Sequence, residues 1–294
     1  MEFAVVLPVA LGVTAEPDEV VRFARHAEEL GFESLSAVEH AVVNRDTESH
    51  YRYAPDGKLQ LPDDCPYPDP LELLAFLAGA TDRIGLSTGV LVLPNHNPVV
   101  LAKRLATLDR LSRGRLRICL GLGWMGEEIE ACGGDFRRRG RIADEAIDLV
   151  RELWRGRDEQ GVTFDGEFFT LRGAHSYPKP HRASGVPLHI GGHSAAAARR
   201  AGRRGDGFQP LGLAGEELQA VVSLMREEAR AAGRDVEKVK LTLGAVLPSA
   251  ADKVEWAEGL GADRLLLSGS RHATTVEALL EEMSEAAKKL ELKP

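Results

Sequence analysis

Pro187-Leu188-His189-Ile190-Gly191-Gly192-His193-Ser194-Ala195 joins a short apolar run to an alanine-rich stretch. This order predicts a strand followed directly by a helix, with glycines and a small hydroxyl residue at the turn. Such a turn leaves the first N–H groups of the helix without a helical partner, and the helix dipole favours negative charge there. Glycine has no Cβ, so an oxygen atom can approach those N–H groups closely. The turn therefore suits a phosphate; an ordinary turn with Ser194 as the helix N-cap fits it equally well.

The same order of strand and helix recurs along the whole chain. Strands are predicted over Glu2–Pro8, Ser34–Val38, Ile84–Leu91, Arg115–Leu120, Pro187–Ile190, Gly207–Gln209, Val239–Val246 and Arg264–Leu267. Helices are predicted over Pro17–Leu30, Pro70–Ala80, Pro98–Leu111, Arg141–Trp154, a stretch from Ser194, Glu216–Ala232, Ala251–Leu260 and Val276–Leu290. A helix after each strand favours a parallel sheet of the α/β class, and eight such pairs predict a closed (β/α)8 TIM barrel.

The 294 residues could form two average domains or one large α/β domain. No proline-rich or glycine-rich joint divides the chain, so we predict one domain over residues 1–294 rather than a two-domain, doubly wound layout. Insertions interrupt the barrel pattern after strand two, at Ala41–Asp69, and before strand five, at Arg157–Gly185 with a hairpin signal. Loops that follow barrel strands carry function, so we expect a lid or substrate wall from the first insertion. We expect the second to cross over and help cover the opening; surface decoration or a dimer arm is the alternative for both.

Composition excludes several classes of function. The formal net charge is −8, which argues against nucleic acid or an anionic membrane as the main partner. The hydrophobic content is 44%, and no apolar run is long enough to span a bilayer. Met1–Pro8 lacks a basic region and ends at proline, so it predicts a first strand and not a signal peptide. Cys65, Cys119 and Cys132 are odd in number and far apart, which predicts reduced thiols in a cytoplasmic protein.

Two predicted strands end in residues that suit chemistry. Strand two ends in Glu39-His40, and an acid beside an imidazole at a barrel rim suits general acid or base work near neutral pH. A solvated or merely hydrogen-bonded histidine is the competing interpretation. Strand three carries Gly89 within a β-branched run, which indicates a bulge or a close approach of the backbone to a ligand. Glu39 and His40 are therefore candidate catalytic residues.

The fourth strand ends in Gly121-Leu122-Gly123-Trp124-Met125-Gly126, which fits the G-x-G-x-x-G pattern of dinucleotide-binding folds. Three features argue against that interpretation. The strand–helix unit is the fourth in the series, whereas the pattern normally occurs in the first. Trp124 is bulky where a pyrophosphate needs open backbone. No strand that ends in a carboxylate follows at the required distance. We instead expect Gly121 and Gly123 to clear space for a flat ring system against Trp124. The alternative makes Trp124 a core residue.

Metal and nucleophile chemistry receive little support. His189 and His193 are four residues apart, but they straddle a strand and a turn, and no carboxylate or cysteine completes a site, so we predict no metal. The chain has no GxxxxGK[ST], GxSxG or HExxH pattern. The basic run Arg137–Arg141 is typical of a solvated face, and it also suits the anionic tail of a ligand.

Together these segments resemble the bacterial luciferase-like monooxygenase superfamily, and more closely its branch that uses the deazaflavin coenzyme F420. The resemblance covers nearly the whole chain. It rests on Glu39-His40, Thr88-Gly89-Val90, Leu93-Pro94, Ala102–Arg115, Gly121–Trp124, Arg139-Gly140, Asp144-Glu145, Leu153-Trp154, Gly191–Ser194 and Gly205–Phe208. Their combination is specific for the superfamily and much less specific for the cofactor.

The resemblance implies a barrel whose mouth holds F420, or alternatively FMN. The candidate cofactor-binding residues are Gly89, Val90, Gly121, Gly123, Trp124, Gly191, Gly192, His193 and Ser194. By match with the family, Gly89–Val90 would be a cis peptide bond behind the cofactor ring. The turn Gly191–Ser194 would receive the cofactor phosphate.

The implied activity is hydride transfer between F420 and a small organic substrate. His40 would move the accompanying proton. Glu39 would orient the imidazole of His40 or favour its charged form. Many F420-dependent relatives have aspartate at the position of Glu39. Two alternatives remain: an FMN-dependent monooxygenase that uses O₂ and reduced flavin from a separate reductase, or a cofactor-binding protein without catalysis. The expected assembly is a homodimer.

Overall fold

The computed structural model describes residues 1–44, 47–52, 54, 56–59, 61–62, 64–156 and 159–294. Some residues of the two predicted insertions lie outside the described residues: Arg45, Asp46, Tyr53, Pro55, Gln60, Asp63, Arg157 and Asp158. The strands are β1 (Glu2–Val6), β2 (Ser34–Ala37), β3 (Gly85–Thr88), β4 (Leu91–Val92), β5 (Leu116–Gly121), β6 (Val162–Asp165), β7 (Thr170–Ala174), β8 (Leu188–Gly191), β9 (Gly207–Gln209), β10 (Lys240–Val246) and β11 (Arg264–Ser268). The α-helices are α1 (Pro17–Glu29), α2 (Pro70–Ala80), α3 (Pro98–Leu111), α4 (Gly126–Ala131), α5 (Arg139–Arg155), α6 (Ala195–Arg204), α7 (Gly215–Ala231), α8 (Val254–Gly259) and α9 (Val276–Lys289).

The parallel strands close into a barrel. Their order is β3, β2, β1, β11, β10, β9, β8 and β5, and β5 pairs again with β3. The short β4 continues the third position of the ring, because its residues Leu91 and Val92 pair with Leu120 and Gly121 of β5. The predicted (β/α)8 TIM barrel is therefore confirmed, with the third strand broken in two; the extent of the domain, residues 1–294, stays a prediction.

Several helices begin at signals that the sequence carries. Pro17, Pro70 and Pro98 are the first residues of α1, α2 and α3, where an N–H would have no helical partner anyway. The side chains of Asp69 and Asn97 accept N–H groups from the first turns of α2 and α3. Because these helices follow parallel strands, their first turns lie at the end of the barrel where the strands end.

The second insertion packs on the outside of the barrel. The predicted hairpin forms as β6 and β7, and Glu145 of α5 accepts N–H groups of Phe168 and Phe169 at its turn, at 2.9 and 2.8 Å. Further along, the buried Lys179 donates to the Leu153 carbonyl at 2.7 Å. These contacts join the segment to α5, and the expectation that it helps to cover the barrel opening stays a prediction.

A polar cluster fills the barrel at the end where the strands begin. Arg117 donates to Glu33 Oε1 at 2.8 Å, and Arg264 Nε donates to Glu33 Oε2 at 2.9 Å. Burial alone would raise the pKa of Glu33, but the two guanidinium groups outweigh it and lower the pKa to about 2. Burial, with the charges of Arg117 and Arg264, holds the pKa of His189 well below its ordinary value, so this histidine is neutral. Residues at this end of a TIM barrel act mainly on stability.

Glu33→Gln should destabilise the fold, because it removes the negative charge between two buried guanidinium groups. Loss of one partner of a fully buried pair costs about 3–5 kcal/mol. The Glu33 side chain is 27% exposed, so we expect about 2 kcal/mol in urea unfolding at neutral pH. Glu285→Gln, at an exposed position of α9, is the matched control and should change the unfolding free energy by less than about 0.5 kcal/mol.

The same carboxylate predicts a dependence on pH. The pKa of Glu33 is about 2 in the folded state and 4.5 ordinarily, so the unfolded chain takes up the proton first as the pH falls. The stability that Glu33 contributes is present above the ordinary pKa and is lost between roughly pH 4.5 and pH 2. The difference in unfolding free energy between wild type and Glu33→Gln should shrink over that range, and a constant difference would contradict the assignment.

Candidate active site

The carboxyl ends of the strands leave an opening in the barrel. Gly244 and Val246 lie within β10 and yet are exposed, Val246 to 41%. Thr242, on the same face of β10, lies 3.4 Å from Arg264 of the interior cluster, so this face points into the barrel. Nothing lies within 4 Å of the place where a Gly244 Cβ would be. These residues therefore line a space at the end of the barrel where TIM-barrel active sites are found.

Val90 forms one wall of this opening. The Gly89–Val90 peptide bond is cis, as the resemblance implied. The Val90 side chain fits against two glycines of neighbouring strands: a Cβ at Gly191 would lie 2.5 Å from Val90 Cγ1, and one at Gly121 would collide with Val90 Cγ2. Gly121 and Gly191 thus make room for a side chain of the protein itself.

Side chains of the protein bound the space beside Gly121 and Gly123. Gly123 has a left-handed φ of +72°, and a Cβ there would lie 2.8 Å from Ile129 and 2.9 Å from Val92. Side chains of the protein therefore lie where a Cβ would stand at either glycine. Space for a flat ring beside Gly121 and Gly123, against Trp124, stays a prediction.

His40 lies at the opening and is held by an acid that is distant in sequence. Its Nδ1 is 3.0 Å from Glu128 Oε2, and the Ala41 N–H donates to Glu128 Oε1 at 2.5 Å. Glu128 is 1% exposed, so this carboxylate is committed to the segment around His40. An acid on Nδ1 fixes the orientation of an imidazole and leaves Nε2 for chemistry, as in general acid–base sites.

Glu39 contacts His96 and Val92, and not His40 as expected. Its Oε1 is 2.7 Å from His96 Nε2, and its Oε2 accepts the N–H of Val92. The expectation that Glu39 orients or charges His40 is therefore corrected, because Glu128 occupies that position. The physical reason is that consecutive side chains of an extended segment point to opposite sides. Glu39 connects the end of β2 to β4, and a catalytic role for it stays a prediction.

Aromatic rings surround His40. Its ring centroid lies 5.4 Å from that of Tyr67 and 5.9 Å from that of Trp124, both edge-on. Tyr51 in turn lies 5.0 Å from Trp124. Trp124 is half-buried and stands at the mouth of the barrel rather than in its core.

Sequence reasoning missed Glu128, His96, Tyr67 and Tyr51. A signal for Glu128 was present, because it follows the glycine-rich end of strand four and so belongs to the rim of the barrel. Tyr67 and Tyr51 come from the insertion after β2, whose path around the rim no local pattern predicts. The insertion thus places one ring beside His40 and one beside Trp124, and its role as a lid or substrate wall stays a prediction.

The turn at Gly192 forms the predicted helix start. Gly192 has a φ of +135°, and its N–H donates to the Gln209 carbonyl at 3.1 Å. Ser194 is the N-cap of α6, and its Oγ accepts the N–H of Ala197 at 3.2 Å. The N-cap role is confirmed. The N–H groups of Ala195 and Ala196, the first two residues of α6, have no partner inside the helix. Phosphate binding by these groups stays a prediction.

One cation, Arg52, acts on this turn, and an acid lies close to that cation. Burial and the charge of Arg52 lower the pKa of the half-buried His193. Arg52 lies in the insertion after β2, 3.6 Å from Glu217 near the start of α7. The helix dipole favours an anion at this helix start, while Glu217 offsets part of the charge of Arg52.

The basic run near the start of α5 packs against aromatic rings. The guanidinium groups of Arg138 and Arg141 each lie 5.7 Å from the centre of the Phe168 ring. Arg139 stacks on Phe136 at 3.8 Å. Binding of an anionic ligand tail by the basic run Arg137–Arg141 stays a prediction.

Two absences hold for the described part of the chain. It contains no group of three or more His, Cys, Asp or Glu side chains arranged to hold a metal ion. Among its helices, none has the length and apolar character needed to cross a membrane.

Comparison with known proteins identifies the family. The model of the luciferase-like monooxygenase family matches residues 1–292. The protein belongs to this family of oxidoreductases.

Individual proteins resemble the chain in sequence or in fold. The chain is 32% identical to an uncharacterized protein of Mycobacterium tuberculosis over 212 residues, which cover 71% of this chain and 72% of that one. It is 33% identical to an F420-dependent glucose-6-phosphate dehydrogenase of Mycolicibacterium fortuitum over 231 residues, covering 76% of this chain and 62% of that enzyme. In fold it is similar to monooxygenase RslO1 from Streptomyces bottropensis, with a TM-score of 0.78, 22% identity and coverage of 99% and 98% of the two chains.

Gly121→Ala tests the wall formed by Val90. The added Cβ would collide with Val90 Cγ2, so we expect a loss of about 1–3 kcal/mol in unfolding free energy, typical of an overpacked interior. Gly259→Ala in α8 is the matched control: nothing lies within 4 Å of its Cβ position, and it should be neutral or stabilising. Equal stability of Gly121→Ala and wild type would refute the packing role of Gly121.

Proposed function

We propose that this protein is an F420-dependent oxidoreductase that transfers a hydride between the deazaflavin coenzyme and a small organic substrate. The observation that carries the proposal is the His40–Glu128 pair at the mouth of the barrel, with Nδ1 and the carboxylate 3.0 Å apart. Relatives of at least 30% identity include F420-dependent glucose-6-phosphate dehydrogenases of Mycolicibacterium fortuitum and Amycolatopsis mediterranei. This likeness supports F420 as the first candidate for the cofactor.

The residues at the mouth fit a heterocyclic ring with carbonyl groups. Gln209 is 5% exposed, and its Nε2 is buried without a hydrogen-bond partner among the described residues. It lies 3.5 Å from the place of a Gly89 Cβ, beside the Val90 wall. An unpaired buried amide costs free energy unless a bound group accepts its hydrogen bond. A flavin-like or deazaflavin ring would supply such an acceptor.

When bound, F420 would carry the hydride, and the chain would supply orientation, shielding from water and proton transfer. His40 would give or take the proton at Nε2, with Glu128 as the positioning residue on Nδ1. Val90 and Gln209 would hold the ring side of the site. The start of α6, next to Arg52 and His193, would hold the phosphate.

The remaining expectations are kept as proposals: a small-molecule substrate, a homodimer and a cytoplasmic location. A flavin reductase would be a partner only of an FMN-dependent enzyme. Separate fluorescence titrations with F420 and FMN distinguish the cofactors. Tight binding of F420 alone supports the proposal, tight binding of FMN alone replaces it with the monooxygenase alternative, and binding of neither overturns both.

Gly192→Val tests the phosphate site. Gly192 has a left-handed backbone conformation, and its Cβ would lie 3.0 Å from that of Ala197, so a branched side chain must displace the turn. We expect the dissociation constant of the cofactor to rise at least about tenfold, measured by fluorescence titration.

The matched control is Gly233→Val, which is also left-handed, with a φ of +67°, but has nothing within 4 Å of its Cβ position. It follows the end of α7, away from the opening. It should lose stability and keep cofactor affinity. Unchanged affinity in Gly192→Val for both F420 and FMN would remove this turn from the cofactor site.

His40→Asn tests proton transfer. Asparagine preserves some hydrogen bonding, so cofactor affinity should stay within a few fold of wild type. Turnover should fall by about 10²–10⁴, the usual contribution of a positioned acid or base. The pH profile of turnover should also lose one limb, since asparagine does not titrate near neutral pH.

Glu128→Gln separates positioning from chemistry. The amide keeps the size of the carboxylate and can still accept a hydrogen bond from Nδ1. It should therefore shift the pH profile and retain more turnover than His40→Asn. Normal turnover in His40→Asn would make His40 a structural residue of the rim.

A further inference from the structure

The insertion after β2 is attached to the barrel at the start of α4. The Ser49 hydroxyl donates to Glu127 Oε2 at 2.7 Å. The N–H groups of Glu48 and Ser49 donate to Glu127 Oε1 at 2.7 and 3.3 Å. The Ser49 Oγ in turn accepts the N–H of Gly126 at 2.9 Å. The insertion is therefore bound to the first two residues of α4, Gly126 and Glu127.

α4 has no cap of its own. It is six residues long, and its N-cap residue, Met125, makes no side-chain hydrogen bond to the first turn. The first N–H groups of a helix have no helical partner, and a helix this short does not persist alone in water. The Ser49 hydroxyl accepts one of these N–H groups from 77 residues away along the chain. Ser49 thus does the work of an N-cap for α4.

The same turn of α4 holds His40. Glu128 Oε1 accepts the N–H of Ala41 at 2.5 Å, and Glu128 Oε2 lies 3.0 Å from His40 Nδ1. Glu127 and Glu128 are neighbours in the first turn of the helix. The carboxylate that binds the insertion and the carboxylate that orients the imidazole therefore share one short stretch of backbone.

The attachment at Glu127 is the firm one. Hydrogen bonds, first of all the one from the Ser49 side chain, lower the pKa of Glu127 to about 2. Glu127 is therefore ionised at neutral pH, and hydrogen bonds to an ionised acceptor are the stronger kind. A second attachment, Arg52 to Glu217 at 3.6 Å, joins side chains that are 47% and 73% exposed, and such surface pairs contribute little.

We propose that Ser49 is a positioning residue for His40, because it caps the helix turn that carries the orienting carboxylate of Glu128. Loss of the Ser49 hydroxyl loosens this turn. The fully buried Ile129 keeps the rest of α4 packed on the barrel, so the fold survives the loss. The inference rests on the proposed function for the chemical role of His40, and its test needs no cofactor.

Amide hydrogen exchange of the full chain, followed residue by residue by NMR, tests the coupling. The Ala41 N–H reports on Glu128, since that carboxylate is its acceptor. Ser49→Ala removes the capping hydroxyl and makes no change at Ala41 or Glu128. Exchange of the Ala41 N–H should become about fivefold to thirtyfold faster, the change in an opening equilibrium when a helix cap is lost.

The imidazole gives a second readout on His40 itself. Because a carboxylate only accepts hydrogen bonds, the proton of the His40–Glu128 pair belongs to Nδ1. His40→Asn identifies the resonance of this proton by its loss. In Ser49→Ala the Nδ1 proton should exchange with water faster than in wild type, by a factor similar to that of the Ala41 N–H.

Control variants make the result specific. Ser49→Thr keeps the hydroxyl and should keep the slow exchange of the Ala41 N–H. Ser284→Ala removes another half-buried hydroxyl with two partners, the Leu280 carbonyl and His26. It lies on α9 and should leave the exchange of the Ala41 N–H unchanged. Thermal unfolding of each variant reports whether the fold is intact.

Glu127→Ala keeps the inference testable should Ser49→Ala fail to fold. It removes the other partner of the Ser49 hydroxyl and should speed the same two protons. Unchanged exchange at Ala41 and His40 in a folded variant of either kind overturns the role of Ser49, and so does equally fast exchange in Ser284→Ala. Failure of both F420 and FMN to bind wild type overturns the proposed function and leaves the exchange result standing.

Discussion

The packing of Val90 between Gly121 and Gly191 is the constraint on which the mouth of the barrel depends. A barrel of eight strands is just wide enough for its own side chains to fill. Here one valine from the broken third strand occupies the space over two neighbouring strands, and only glycine at both positions admits it. On β10 of the same barrel, nothing lies within 4 Å of the Cβ position of Gly244. The mouth thus has a tightly packed wall at Val90 and an open one at Gly244.

Two buried carboxylates fix residues around the mouth of the barrel. Glu128 uses both oxygens on the segment of His40, and Glu39 uses both on Val92 and His96. Buried carboxylates are stable only when such partners are provided. Each therefore joins two segments of the rim.

How far the sequence predicted the site depends on the distance between partners along the chain. The turn at Gly192 and the N-cap Ser194 are local features, and both formed as predicted. The partner of His40 was misassigned, because sequence adjacency suggested Glu39 while an extended backbone points neighbouring side chains apart. Glu128 lies 88 residues from His40, and the two meet because β3 pairs in parallel with both β2 and β5, which brings the ends of those strands to one edge.

The sequence by itself determined the alternation of strands and helices, the closed barrel that follows from it, the helix starts at Pro17, Pro70 and Pro98, and the family. These features depend on periodicity, on backbone preferences and on short motifs, which act within a few residues. The tertiary structure alone decided that Val90 packs against Gly121 and Gly191, that Glu39 pairs with His96, and that Tyr67 lies against His40. Those relations depend on which strand ends meet around the ring and on the path of the insertion after β2, and neither is encoded in local pattern.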